Sequence, residues 1–205
     1  MSRMLAAPPS PQETAMTGRK RLPGRESSRA SAWVALLRGI NVGGRNRLPM
    51  KDLSRLFEEA GCVEVRTVIQ SGNVLFRAPA QVAQAALEQV AARIQKEREF
   101  RCPVVLRSAK EIAAVLEGNP FVSEGAAEDL LHVVFLADRP TASAVKALDP
   151  ARSPGDRYVV RGQEVFLCLP RGVSGTRLTV DYLDRTLGTV GTWRNWRTVR
   201  KLAEE

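Results

Sequence analysis

The sequence has little histidine, few aromatic side chains and few cysteines, and each scarcity argues against one class of protein. Its 205 residues include one histidine, three cysteines and 5% aromatic residues. Cys62, Cys102 and Cys168 form no CxxC pair, so the clustered ligands of a zinc site are absent, and we interpret all three as reduced and structural. A base-stacking platform would need more aromatic residues. No apolar run reaches the roughly 18 residues of a membrane span, so we predict no transmembrane helix.

The positive charge is concentrated at the start of the chain. The formal net charge is +9, and residues 1–30 carry six basic against two acidic side chains, which leaves +5 on the other 175 residues. Proline, serine, glycine and charge dominate this segment, which predicts a disordered basic tail over residues 1–30. The tail is either a simple extension, which includes a start codon placed too early, or a basic arm for an anionic surface. It lacks the apolar stretch of a secretory signal.

After residue 30 the apolar residues become periodic. The apolar run at 33–37 predicts a buried strand, and a polar glycine-rich loop follows it. Pro49 is suited to opening a helix and Gly61 to ending it. Alternation then predicts a strand near 65–69, a tight turn at 70–73 and a return strand. A long helix and a strand at 103–106 complete the order strand–helix–strand–strand–helix–strand.

The same order of elements recurs in the second half of the chain. We therefore predict an α+β protein with two tandem ferredoxin-like (βαββαβ) subdomains, at about 31–108 and 128–195, within a single domain of residues 31–205. A linking helix at 112–116 joins the two halves, and a helix ends the chain. The halves share little direct residue identity, so the duplication is inferred from the order of elements.

Two short strings, found in order, connect the chain with a known family. LLRGINVGG occupies residues 36–44 and QSGNV occupies residues 70–74, followed by Asn119-Pro120-Phe121 and, near the end, Arg194-Asn195-Trp196. Over residues 32–203 the chain resembles a bacterial family, domain of unknown function 1697. The resemblance implies a bacterial, cytoplasmic α+β protein, and it brings neither an assigned activity nor catalytic residues.

The predicted topology brings two polar loops to one edge of the first sheet. Because the first two strands of a ferredoxin-like unit are parallel, loop 38–47 and turn 70–73 leave the sheet at the same edge. Glycines there allow backbone N–H groups to approach an anion, and the loop feeds a helix N-terminus. The alternative is that these residues only build tight turns. The candidate ligand-binding residues are Arg38, Asn41, Gly43, Gly44, Asn46, Ser71, Gly72 and Asn73.

A second candidate anion site lies at the opposite edge of the second half, where loop 171–177 and residues 194–197 are expected to meet. Ser174 or Thr176 is suited to cap a helix that begins near Arg177. The alternative is a capped helix with solvated arginines. The candidate ligand-binding residues of this site are Arg177, Arg194 and Asn195.

Motifs for catalysis or cofactor binding are absent from the sequence. His132 lies in an apolar strand and is interpreted as a buried structural histidine, and no Ser/His/Asp or Cys/His set can be argued from spacing. There is no Walker A, GxGxxG, HExxH or EF-hand sequence, so we expect no cofactor and no metal. Asp181 and Asp184 share one helix face and are interpreted as a salt-bridged surface.

Three functions remain open from the sequence. The first is a cytoplasmic protein, with or without enzymatic activity, that binds a small phosphate- or carboxylate-bearing ligand at the glycine-rich loops. The second is a nucleic-acid-binding module, although the RNA-recognition strand pattern is missing. The third is a protein-interaction module without chemistry. The sequence favours the small anionic ligand, predicts no membrane contact and leaves the oligomeric state open.

Overall fold

The computed structural model describes residues 30–205 of the chain. The tail predicted for residues 1–30 therefore lies outside the described residues, apart from Ala30. Between residues 30 and 205, no helix combines the length and the apolarity that crossing a membrane requires.

Eight strands alternate with helices along the described residues. The first half contains β1 (Ser31–Leu37), α1 (Met50–Glu59), β2 (Val63–Val68), β3 (Asn73–Ala78), α2 (Ala80–Arg98) and β4 (Val104–Ser108). The connection contains α3 (Ala109–Glu117), α4 (Pro120–Ser123) and a 3-10 turn (Glu128–Leu130). The second half contains β5 (Leu131–Leu136), α5 (Ala142–Lys146), β6 (Arg157–Arg161), β7 (Glu164–Cys168), α6 (Gly172–Gly175), α7 (Val180–Leu187), β8 (Gly191–Asn195) and α8 (Trp196–Glu204).

The strands form two antiparallel sheets of four strands each. Their orders are β2-β3-β1-β4 and β6-β7-β5-β8, so corresponding strands hold corresponding places in the two sheets. Every paired neighbour is antiparallel. The prediction of an α+β protein is thus confirmed as a mixed α/β architecture with two four-stranded antiparallel sheets.

Side-chain caps mark where five of the helices begin, α3, α4, α5, α7 and α8. Ser108 and Glu111 form a capping box at α3, and Asn195 accepts a hydrogen bond from the Thr198 N–H at α8. The predicted start of the helix near Arg177 is wrong, since α7 begins at Val180 with Thr179 as its cap. Thr176 instead accepts a hydrogen bond from the Leu178 N–H at 3.0 Å, which closes a local turn before the helix.

Three buried clusters hold these layers together. One packs a face of the first sheet against α1 and α2, and another packs a face of the second sheet against α5 and α7. The third lies between the sheets and contains the inner residues of α3 and α8. Trp196, at 2% exposure, belongs to it and anchors the last helix in the core. The two sheets therefore share one central core.

Candidate functional site

Two arginines reach across between the sheets in reciprocal fashion. Arg107 is the fourth residue of β4 and Arg194 is the fourth residue of β8. Arg107 Nη2 donates to the Leu136 carbonyl, at the end of β5, at 2.7 Å. Arg194 Nη2 donates to the Leu37 carbonyl, at the end of β1, at 2.8 Å. Each sheet thus inserts an arginine of its fourth strand at the end of the other sheet's first strand.

The two arginines differ in the charge of the side chain that they meet. Arg107 Nε donates to the carboxylate of Glu164 at 2.9 Å, and Arg194 Nε donates to the amide oxygen of Asn73 at 2.6 Å. Glu164 is the first residue of β7 and Asn73 the first residue of β3, so they hold equivalent positions. Arg107 therefore has a counter-ion, whereas no carboxylate within residues 30–205 forms a salt bridge with Arg194.

Arg194 is a buried cation held by neutral acceptors only. It is 7% exposed, and burial lowers its pKa to about 10, so it stays charged at neutral pH. Nη1 donates to Thr192 Oγ1 at 2.8 Å and to the Trp193 carbonyl at 2.7 Å. Nη2 also donates to the Gly72 carbonyl at 3.2 Å. All five N–H groups of the guanidinium are thus used within the protein.

A surface cavity opens beside this arginine, between the two halves. Its volume is about 460 Å³, within the range of small-molecule sites. It lies between the loop after β1, the β2–β3 turn and the junction of β8 with α8. We call it the Arg194 cleft, and its lining includes Val42, Ile69, Ser71, Arg194, Asn195 and Thr198.

The loop after β1 and the β2–β3 turn do meet, as the sequence predicts. The Leu37 N–H donates to the Gly72 carbonyl at 2.7 Å, and Asn41 Nδ2 donates to the Gln70 carbonyl at 3.2 Å. Asn41 has φ +55° and also bonds both the N–H and the carbonyl of Leu48 at 2.9 Å. Its side chain therefore fastens the two segments, which is the structural alternative considered for this residue.

Arg38 is held by acidic residues of the second half. Its Nη2 lies 2.7 Å from Asp181 Oδ1, and its Nη1 donates to Asp184. Asp181 and Asp184 form salt bridges, as their shared helix face predicted, with Arg38 as their partner. The charge of Arg38 is thus compensated by carboxylates, and the side chain, which is also part of the lining of the Arg194 cleft, connects the loop after β1 to α7.

The other predicted residues of the first loop form turns. Gly43 and Gly44 have positive φ angles in a turn closed by the bridge between Val42 and Arg45. Asn46, at φ +51°, donates from Nδ2 to the Gly39 carbonyl at 2.9 Å.

The predicted residues of the β2–β3 turn lie beside Arg194. Asn73 is fully buried and donates to the Val68 carbonyl at 3.0 Å and to Ser71 Oγ at 3.1 Å. Gly72, at φ +77°, offers its carbonyl to Arg194. Ser71 lines the Arg194 cleft and is half-buried. Of the first predicted set, these three residues are the ones gathered around the arginine.

The second predicted set is divided by the fold. Arg177 is exposed, and its backbone bonds Ser153 Oγ and Arg152 Nε. Arg194 turns to the first sheet, and Asn195 caps α8 at the edge of the Arg194 cleft. The predicted pairing of Arg177 with Arg194 is therefore not formed, because Arg194 is drawn into the contact between the sheets.

Sequence reasoning missed Arg107, Glu164 and Thr192. One signal for them is present, since an arginine stands directly before a helix-capping residue in both halves, as Arg107-Ser108 and Arg194-Asn195. The repeated pair marks the two fourth strands. The partner across the sheet boundary leaves no comparable sequence signal.

His132 is buried, which agrees with its interpretation as a structural residue. It is 7% exposed, its ring lies 5.7 Å from that of Trp193, and its Nδ1 has no partner among the described residues. Burial lowers the pKa of His132 below its ordinary value of 6.5. At pH values between the pKa of His132 in the folded chain and 6.5, the unfolded chain binds a proton at His132 and the folded chain does not. The free energy of unfolding therefore decreases as the pH falls through this range.

Exchanging His132 for leucine is expected to weaken this pH dependence. The wild type should lose up to about 1 kcal/mol more than His132→Leu when the pH falls from about 7.5 to about 5.5. Urea unfolding of both proteins at the two pH values measures the difference. Because the chain has one histidine, no second imidazole contributes. Equal losses in both proteins would show that His132 is not the group responsible.

A family model described as "Protein of unknown function (DUF1697)" matches residues 31–166. The chain belongs to the DUF1697 family. The resemblance seen in the sequence is thus confirmed. The DUF1697 match ends within β7, so it includes Asn73 and Arg107, whereas Arg194 and α8 follow it in the chain.

One solved structure supports the fold of this DUF1697 member. It is similar to the conserved bacterial protein SP0830 from Streptococcus pneumoniae, with a TM-score of 0.62 and 23% sequence identity. The similarity covers 85% of this chain and 98% of the other. At this identity the likeness concerns the fold alone. No curated protein sequence matches the chain.

Proposed function

We propose that this DUF1697 protein binds a small anionic ligand, with a phosphate or carboxylate group, in the Arg194 cleft. The main support for this proposal is that Arg194 has no counter-ion among residues 30–205. Arg107 and Arg194 hold equivalent places, yet Glu164 neutralises the first and the amide of Asn73 leaves the second charged. The excess positive charge lies beside an open cleft of about 460 Å³.

The physical basis is the weak screening of a buried charge. A cation removed from water and surrounded by neutral dipoles produces a strong local potential, and an anion placed near it regains part of the lost solvation. Because every N–H group of Arg194 is already used, the arginine attracts the ligand through its field. Direct hydrogen bonds must then come from neighbouring groups.

Two further groups at the Arg194 cleft suit an anion. Ser71 supplies a hydroxyl, since its oxygen accepts from Asn73 Nδ2 and its proton remains to be donated. The nine-residue helix α8 begins at the edge of the cleft, where Asn195 and Thr198 are part of the lining. The positive end of its dipole adds to the field of Arg194.

A charge change at Ser71 tests the proposal. Ser71→Asp places a carboxylate beside Asn73 and Arg194, whereas Ser71→Asn has the same size and no charge. The introduced carboxylate and a phosphate bound in the cleft repel each other. At a separation of roughly 6 Å and an effective dielectric of 20 this repulsion is about 3 kcal/mol, so Ser71→Asp should bind phosphate at least about tenfold more weakly than Ser71→Asn. Isothermal titration with inorganic phosphate measures both dissociation constants. Equal affinities for the two variants would sink the proposal.

We also propose that the two halves are ferredoxin-like subdomains, at about 31–108 and 128–195. The strand–helix–strand–strand–helix–strand order, the matching strand orders and the equivalent places of Arg107 and Arg194 support it. We further propose a bacterial, cytoplasmic protein. The three cysteines, all free and buried, support a reducing compartment.

A further inference from the structure

Apolar side chains stand exposed at the mouth of the Arg194 cleft. Val42 is 63% exposed and Ile69 is 43% exposed, and both are part of the lining. Further in, Ile40 and Leu37 are buried, and the carbonyl of Leu37 accepts from Arg194. The cleft therefore runs from an apolar mouth to a cationic floor.

Ile69 has a backbone conformation that is unfavourable for isoleucine. Its φ is +51°, a left-handed conformation that costs about 1 to 2 kcal/mol for a residue with a side chain, and a β-branched residue is among the least suited to it. Glycine or asparagine would fit this turn position with less strain. An isoleucine that is both strained and exposed to water, at the mouth of a cleft, indicates a role for its apolar surface.

The cleft is also larger than a simple anion requires. Its 460 Å³ is many times the share of one water molecule in the liquid, about 30 Å³. Inorganic phosphate has five heavy atoms and would leave most of this space to water. Part of the remaining space lies against Val42 and Ile69, whose side chains offer no hydrogen bond to a hydroxyl group.

We infer that the ligand is amphipathic, with an anionic group directed to Arg194 and an apolar body packed against Val42 and Ile69. This inference rests on the proposed function, because it assigns the second part of the same ligand. Aryl and alkyl phosphates or carboxylates are therefore expected to bind more tightly than sugar phosphates. Hydroxyl groups of a sugar would lose water against the two apolar side chains without gaining partners.

Three phosphates distinguish these ligand classes. Phenyl phosphate, glycerol 3-phosphate and inorganic phosphate carry the same anionic group on different bodies. In calorimetric titrations of the full-length chain we expect phenyl phosphate to bind about tenfold or more tightly than the other two, because its ring leaves water at the mouth of the cleft.

Two variants locate the apolar contact, and one control accompanies them. Val42→Thr keeps the shape of the side chain and adds a hydroxyl, and Ile69→Gly removes the side chain while relieving the backbone. Both are expected to weaken phenyl phosphate about threefold or more and to leave inorganic phosphate unchanged. Val63→Thr alters a valine of similar exposure in β2, away from the cleft, and is expected to change neither.

The outcomes separate this inference from the proposed function. If phenyl phosphate binds no more tightly than inorganic phosphate, or if Val42→Thr behaves like Val63→Thr, the amphipathic ligand is wrong and the anion site stands. If none of the three phosphates binds, both ideas fail. If phenyl phosphate binds the Ser71→Asp and Ser71→Asn variants equally well, the cleft is an apolar site and the anionic part of the account fails.

Discussion

Replacing Arg194 by methionine is expected to lower the free energy of unfolding by about 2 to 4 kcal/mol. The guanidinium donates to the carbonyls of Leu37 and Gly72 and to the amide oxygen of Asn73, and methionine removes these three hydrogen bonds. The Asn73 oxygen is then left without a donor, whereas the Gly72 carbonyl keeps the Leu37 N–H. Each orphaned group costs about 1 to 3 kcal/mol. The loss also cuts a connection between the two sheets. Urea unfolding of the full-length chain measures the change.

Arg197→Met is the matched control for this substitution. Arg197 is exposed on α8, three residues after Arg194, so its loss should change the stability by no more than about 0.5 kcal/mol. If Arg194→Met unfolds within about 1 kcal/mol of the wild type, the neutral acceptors around the guanidinium contribute far less than their geometry implies.

Replacing Gly72 by alanine is expected to lower the stability by about 2 to 4 kcal/mol. Gly72 has φ +77°, and an added Cβ would lie 2.9 Å from both Leu37 Cβ and Ile40 Cγ1. The substitution therefore combines backbone strain with overpacking in the turn that presents a carbonyl to Arg194. Thermal or urea unfolding gives the change in free energy.

Gly43→Ala separates these two contributions. Gly43 has φ +57°, and nothing lies within 4 Å of the position of an added Cβ. Only the backbone penalty, about 1 kcal/mol, remains there. The difference between the two variants measures the close packing at Gly72. Equal losses at both positions would mean that the β2–β3 turn is not tightly packed against the loop after β1.

The sequence predicts most of the elements because periodicity and turn chemistry are local. The strands, the hairpin and the long helix of the first half lie near their predicted places, and the errors lie at the ends of elements. β8 begins at Gly191, because the hydroxyl of Thr189 just before it is occupied in a loop contact with Asp138. The start of α7 is misplaced because Thr176 and Thr179 are equally good caps by composition.

The site is harder to predict because its partners are distant in sequence. Arg38 meets Asp181 across 143 residues, and Arg194 meets Asn73 across 121 residues. No spacing rule connects such pairs, so the prediction from the sequence takes both arginines as free cations. Topology does bring loop 38–47 to turn 70–73. Packing between the sheets then decides that Arg38 is neutralised and Arg194 is not.

The nucleic-acid and protein-interaction hypotheses stay predictions. The charge that motivates the first is concentrated in residues 1–30, and residues 31–205 carry +5. Binding to a nucleic acid would weaken steeply with salt over many phosphate contacts. A phosphate ion in one cleft would show a much smaller salt dependence, so titrations with an oligonucleotide and with inorganic phosphate, each at two salt concentrations, separate these functions.

A titration of the ¹⁵N-labelled full-length chain with inorganic phosphate, followed by NMR, tests the anion site most directly. The account predicts saturable shifts of the amide signals of Ser71, Thr192 and Thr198, which lie around the Arg194 cleft. These shifts should be lost in Ser71→Asp and kept in Ser71→Asn. Shifts that do not saturate, or that are confined to residues away from this cleft, would contradict it.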